Sequence, residues 1–87
     1  MRWPAWWDWE LERTPHVLKR MLDRNFTELD LRQMLEEASS LRRDVEEGRW
    51  IVSTLHRRRM WEIVVEPDEV ERVVVVITAY PVVRRGA

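Results

Sequence analysis

Residues 7 to 12 set the first regular pattern: Trp7, Trp9 and Leu11 alternate with Asp8, Glu10 and Glu12, the period of two expected of a half-buried strand. At Thr14 the period changes. Thr14 carries the side chain of an N-cap, Pro15 suits the first helical position, and Val17, Leu18, Met21 and Leu22 recur at helical spacing. These positions predict a helix ending near Arg24. Asn25 suits the left-handed residue that closes a helix, and "TELD" from Thr27 to Asp30 reads as a capping box. Leu31, Met34, Leu35 and Ala38 then supply the buried stripe of a second helix, so two helices joined by a tight turn fill residues 15 to 38.

Everything beyond reads as strand. "RWIVSTL" (49 to 55), "MWEIVVE" (60 to 66) and "RVVVVITAY" (72 to 80) are rich in β-branched and aromatic residues. They are divided by a basic turn at His56 to Arg59 and by an acidic turn, "PDEVE". The last run is apolar at every position from Val73 to Ile77, which predicts a central strand covered on both faces, and Pro81 is expected to stop its ladder. A short further strand fits around Leu41 to Val45. The expected fold is α+β in the order β-α-α-β-β-β: two N-terminal helices packed on one face of a mainly antiparallel sheet of four to five strands. Residues 1 to 87 make one domain, with residues 1 to 6 as a tryptophan-rich N-terminal arm.

Composition narrows the chemistry. The chain has no cysteine and two histidines, which excludes disulfide staples and a closed structural zinc site. No segment has the apolar length of a membrane span, and the start "MRWPAWWDWE" is too acidic and aromatic for a signal peptide, so a cytoplasmic protein is expected. Net charge is -1, yet the positive side is almost all arginine and clusters at Arg42 and Arg43, Arg57 to Arg59, and Arg84 and Arg85. A guanidinium pairs two phosphate oxygens at once, so convergence of such clusters would favour phosphate contacts. For each cluster alone, a solvated, salt-bridged surface explains the arginines as well.

The residues suited to chemistry fall in three places. His16, Arg20 and Arg24 follow one another by four, so a helix sets them in one slowly drifting row. His16 falls in the first turn and is the residue type that serves as general base near neutral pH. The bland reading is the polar side of an amphipathic helix. His56 continues the alternation of Trp50, Val52 and Thr54 and would lie over one sheet face, where it could pair with His16 as acid and base. Arg57, Arg58 and Arg59 beside it are candidate RNA-phosphate contacts, although polar turns are also an ordinary way to keep a sheet end soluble. Thr78 and Tyr80 share a face at the end of the last strand, where a hydroxyl and a phenol could meet a phosphate or a base. Glu62 and Glu66 alternate with Trp61, Ile63 and Val65 and read as the solvent side. No metal-ligand spacing or phosphate-binding loop is present, so no metal and no cofactor is expected.

"TPHVLKRMLDRNFTELDL", "GRWIVSTLHRRRMWEIVVE" and "VVVVITAYPV" together resemble a family of small bacterial domains of uncharacterised function. Its marks are a histidine, an arginine-methionine pair and a second arginine in the first helix, and a final Thr-x-Tyr-Pro phrase. That family is similar to RelE-type toxins and to the wider barnase, EndoU and colicin nuclease group. The resemblance implies helices on a sheet and metal-independent RNA cleavage through the ribose 2'-hydroxyl, with a cognate antitoxin as partner and ribosome-associated RNA among the substrates. It implies His16 as acid or base, Arg20 and Arg24 on the phosphate, and Thr78 and Tyr80 lining the same cleft. His56 joins that set from alternation alone. Two other readings compete: a non-catalytic module that binds a protein or another copy of itself through Trp3, Trp6 and the sheet edge, and a nucleic-acid binder without chemistry.

Overall fold

A computed structural model describes residues 3–83; Met1, Arg2 and residues 84–87, including the Arg84 and Arg85 pair, lie outside the described residues. A short 3-10 helix at Ala5–Asp8 precedes β1 (Glu10–Arg13), α1 (Pro15–Asp23), α2 (Glu28–Glu36), β2 (Ser40–Arg43), β3 (Trp50–His56), β4 (Arg59–Asp68) and β5 (Val73–Pro81). The five strands form one sheet in the order β1-β5-β4-β3-β2. Three pairings are antiparallel, and the fourth, β1 with β5, is parallel. The sheet is therefore mixed, because two helices carry the chain from the end of β1 back across one face before the later strands form.

Local sequence explains both helices. Thr14 caps α1 by accepting the Val17 N–H at 3.2 Å, and its hydroxyl lies 2.9 Å from the Val76 carbonyl and 3.1 Å from that of Ile77, so one side chain caps the helix and ties it to β5. Thr27 and Asp30 form the full capping box of α2. Asn25 lies between the helices at φ 59°, the left-handed geometry its short polar side chain tolerates.

The core lies between the helices and one sheet face. Val17, Met21, Phe26, Leu31 and Met34 pack against Val52, Trp61, Ile63, Val65, Val74, Val76 and Ala79. Thr54 is the buried polar side chain in this layer among the described residues, and it donates to the Met34 carbonyl, so its burial leaves no hydroxyl unpaired.

Three sequence expectations need correction. The first strand begins at Glu10, not Trp7: the Trp7 and Trp9 amides donate to the Pro4 and Trp6 carbonyls, and this 3-10 turn packs on the core both Trp6 and Trp7, neighbours that an extended segment would send to opposite faces. The tryptophan-rich start is accordingly folded onto the domain, with Trp6 5.7 Å from Trp50 and Trp3 stacked 4.4 Å from Trp7. The short strand expected around Leu41 to Val45 is present as Ser40–Arg43 and makes five strands. The final strand is covered by helices on one face alone, leaving Val73, Val75 and Ile77 half-buried on the other. Pro81 is the last residue of β5, as expected, and a single bond from Val82 N–H to the Met60 carbonyl follows it. Alternation turns the proline nitrogen away from β4, toward an edge that β1 does not reach.

Candidate functional site

A single irregularity decides where the hydroxyls of β5 go. Val74 and Val76 face the helices, and strict alternation would put Thr78 and Tyr80 beside them. A β-bulge intervenes: Val64 pairs with Thr78 while Val65 pairs with Val76, so Ile77 is the extra residue. Parity flips there, Ala79 becomes the next buried residue, and Thr78 and Tyr80 emerge on the face without helices.

On that open face they do not meet His16, Arg20 or Arg24. Those residues sit on α1, whose Val17 and Met21 are buried against the opposite face, with His16 and Arg24 exposed and Arg20 half-buried. His56 does not join His16 either. Its ring packs edge-on at 5.9 Å from Trp61, beside Phe26, which lies beyond the end of α1, whereas His16 sits in the first turn. A helix of this length holds its ends roughly 13 Å apart. The His56 Nε2 and the Trp61 Nε1 are buried without a hydrogen-bond partner among the described residues, and the His56 ring packs on Trp61. The cleft expected from the helix row, with His16, Arg20, His56, Thr78 and Tyr80 together, is not assembled.

What the open face does assemble is a polar chain across four strands. Ser53, Glu62 and Tyr80 are directly paired neighbours on β3, β4 and β5. The Tyr80 phenol donates to Glu62 Oε1 at 2.7 Å, Arg42 Nη2 donates to Glu62 Oε2 at 2.7 Å, and Arg42 Nη1 reaches Ser53 Oγ at 3.3 Å. Thr78 is one pair further along the same face, opposite Val64. The Glu62 side chain keeps 19% exposure, so the carboxylate is partly desolvated but reachable.

The electrostatics follow from these contacts. Burial pushes the Glu62 carboxyl up, but the hydrogen bonds from Arg42 and Tyr80 and the Arg42 charge outweigh it and hold the group below its ordinary value. Burial, reinforced by the hydrogen bond to Glu62 and its negative charge, pushes the Tyr80 phenol up to about 12. The hydrogen bond to Glu62 also raises Arg42 above its ordinary value. The result is a fixed carboxylate, a fixed guanidinium and a phenol that keeps its proton, all reachable from one side. In the sequence alone, Glu62 reads as part of a solvated face and Arg42 as part of a surface cluster. Alternation does put Glu62 on that face, but the pairing register that brings Arg42 and Tyr80 to it is not visible from one strand.

The basic turn contributes a second feature. Arg57 and Arg58 occupy the hairpin tip with φ of 50° and 66°. This left-handed pair is the geometry that Asn-Gly adopts at little cost and that a long side chain adopts only under strain. Arg57 also donates to the Asn25 carbonyl at 3.3 Å and lies 3.7 Å from Asp30, which binds the tip to the start of α2, with Arg24 next to that contact in the chain. Arg58 and Arg59 are exposed. Four residues of strand separate Arg58 from Glu62, roughly 13 Å.

Among the described residues no helix is long and apolar enough to cross a membrane. Comparison with protein-family models, with curated proteins and with solved structures finds no match, so the site stands on its own geometry.

Proposed function

We propose that this chain is a toxin-like, metal-independent endoribonuclease of the RelE-like kind, working in the cytoplasm under a cognate antitoxin, with its centre on the open sheet face. The observation that carries this reading is the Arg42–Glu62–Tyr80 chain: a carboxylate, a guanidinium and a protonated phenol within hydrogen-bond reach on a face that an RNA strand can approach. Glu62 takes the proton of the ribose 2'-hydroxyl, whose oxygen attacks phosphorus. Arg42 neutralises charge on the non-bridging oxygens. The bond to the 5'-oxygen breaks, Tyr80 supplies that oxygen with a proton, and a 2',3'-cyclic phosphate remains. Thr78 lines the same face. The tip arginines, Arg57, Arg58 and Arg59, hold the backbone, and their strained conformation is the kind that persists at functional positions.

The purified, partner-free chain, incubated in EDTA with varied RNAs and with translating ribosomes, should release cyclic-phosphate ends. Glu62→Gln should lower the rate by about 10²- to 10⁴-fold, the usual contribution of a positioned base, whereas His16→Ala should leave it unchanged. Intact RNA under all these conditions rejects the proposal.

A second reading is a non-catalytic interaction module, and half-exposed Trp6, Trp7 and Trp9 around one cavity favour it. In that case RNA stays whole while a protein or second copy still binds, and Glu62→Gln changes nothing.

A further inference from the structure

A cavity of about 260 Å³ lies on the helix side of the sheet, where the 3-10 helix, the end of α2 and the start of β5 meet. Its walls are the indoles of Trp6, Trp7 and Trp9, and Leu11, Leu35, Val65 and Val74 complete its apolar lining. The volume is below the roughly 300 to 1,000 Å³ of pockets that take a whole drug-sized ligand, so it has room for about one side chain. The indoles are held in place before any ligand arrives: the 3-10 turn fixes their backbone, Trp6 packs on Trp50, and Trp3 stacks on Trp7.

Two features give the cavity a sign. Asp8 and Glu36 stand on its rim, and neither forms an ion pair among the described residues. Arg32, the cation on the rim, is directed to Glu28 at 3.8 Å, and Glu28 also binds Arg13 at 3.1 Å. In addition, α2 ends in Glu36 and Glu37 with no basic residue in its last turn. Carboxylates at the negative end of a helix dipole are unfavourable, and a cation placed there relieves both charges. The adjoining aromatic row already holds one such group, since the Arg43 guanidinium lies 4.9 Å over the Trp50 ring.

We propose that this cavity binds an organic cation on a short alkyl stem, the side chain of a lysine or arginine presented by a protein partner. The stem lies against the aliphatic floor, the charged head faces the indoles, and Asp8 and Glu36 accept its hydrogen bonds. The cavity is on the other side of the sheet from Glu62, so the inference stands or falls independently of RNA cleavage.

The test uses the whole chain and the NMR signals of its indole N–H groups. N-acetyl-lysine amide, N-acetyl-arginine amide, n-butylammonium and the neutral n-butanol serve as probes at constant ionic strength. Saturable shifts of the Trp6, Trp7 and Trp9 signals, with that of Trp61 unmoved, are expected from the cations. A stronger response to the amino-acid amides than to n-butylammonium assigns the site to a partner's side chain, and the reverse order overturns that assignment in favour of a free amine. The double variant Asp8→Asn, Glu36→Gln should bind roughly tenfold more weakly, as loss of charged hydrogen bonds implies, with Glu62→Gln unaffected. No saturable shift, or equal binding of n-butanol, overturns the proposal.

Discussion

The two faces of the sheet are built from the same strands and obey opposite rules. The face under the helices holds Val52, Ile63, Val65 and Val76 with no exposure at all, and Thr54, its buried polar group, is paired. The open face mixes half-buried Ile51, Val75 and Ile77 with Arg42, Ser53, Glu62, Thr78 and Tyr80. Beneath the two helices the covered face has spent its groups on stability, and its opening lies at the edge, in the tryptophan-lined cavity. The other leaves charged and hydroxyl groups at an accessible surface, at a modest energetic gain, since half-exposed ion pairs contribute little.

This contrast is tested most strongly by cutting equal volumes from each side. Ile63→Ala should cost about 2 to 5 kcal/mol in urea unfolding, because the helices cannot collapse fully into the space left. That is a large share of the roughly 5 to 15 kcal/mol that holds a domain together. Ile51→Ala on the open face should cost less, since its site is already partly open to water. Equal losses would mean that the open face is covered by something else, such as a second copy.

Polar truncation gives the next effect. Thr54→Val leaves the Met34 carbonyl without its donor beneath α2, and should cost about 1 to 3 kcal/mol by the same measurement. Thr78→Val on the open face should be close to neutral for stability and should lower RNA affinity instead.

The elements of the fold were legible in the sequence wherever a local rule governs. Thr14-Pro15, the Thr27 to Asp30 box and Asn25 fixed both helices within a few residues, because caps and left-handed ends depend on neighbours in the chain. The parallel pairing of β1 and the 3-10 turn of Trp6 and Trp7 depend on contacts with β5 and Trp50, far along the chain. The site was less legible still. Thr78 and Tyr80 were correctly placed on one face relative to each other, but the bulge at Ile77 turned that face away from His16, and an all-β-branched run gives no sign of an extra residue. Glu62 looked solvated because its partners, Arg42 and Tyr80, come from strands 20 and 18 residues away.

The hairpin tip sharpens the comparison from a third direction, since it trades stability for charge. Replacing Arg57 and Arg58 with Asn-Gly puts residues that favour left-handed geometry where the chain already adopts it. The double variant should gain about 1 kcal/mol in unfolding free energy, less whatever the Arg57 bonds to Asn25 and Asp30 supply. Its RNA binding should show a shallower salt dependence, with the slope reduced by about 0.7 for each phosphate that the tip no longer neutralises. A tip that is destabilised by Asn-Gly would show that the two arginines are held by packing and not by function.

The smallest effect is a pH dependence confined to the open face. The folded-state value of Tyr80 lies at about 12, above the roughly 10 of an unfolded tyrosine, so the folded chain holds that proton more tightly. Stability from this source is complete below pH 10 and is lost as pH rises from 10 to 12. Glu62 runs the other way: its folded value is depressed, so its contribution is present above the unfolded carboxylate value and fades as acid titrates the folded group. Because Arg42 is half exposed, the Glu62 contribution should stay below about 1 kcal/mol. Tyr80→Phe should flatten the alkaline limb of a stability-against-pH curve, and Glu62→Gln should flatten the acid limb. Thr54→Val, on the covered face, should lower the whole curve without changing either slope. If Tyr80→Phe leaves the alkaline limb unchanged, the phenol is not held against Glu62 in solution, and the polar chain that distinguishes the open face is broken at its last link.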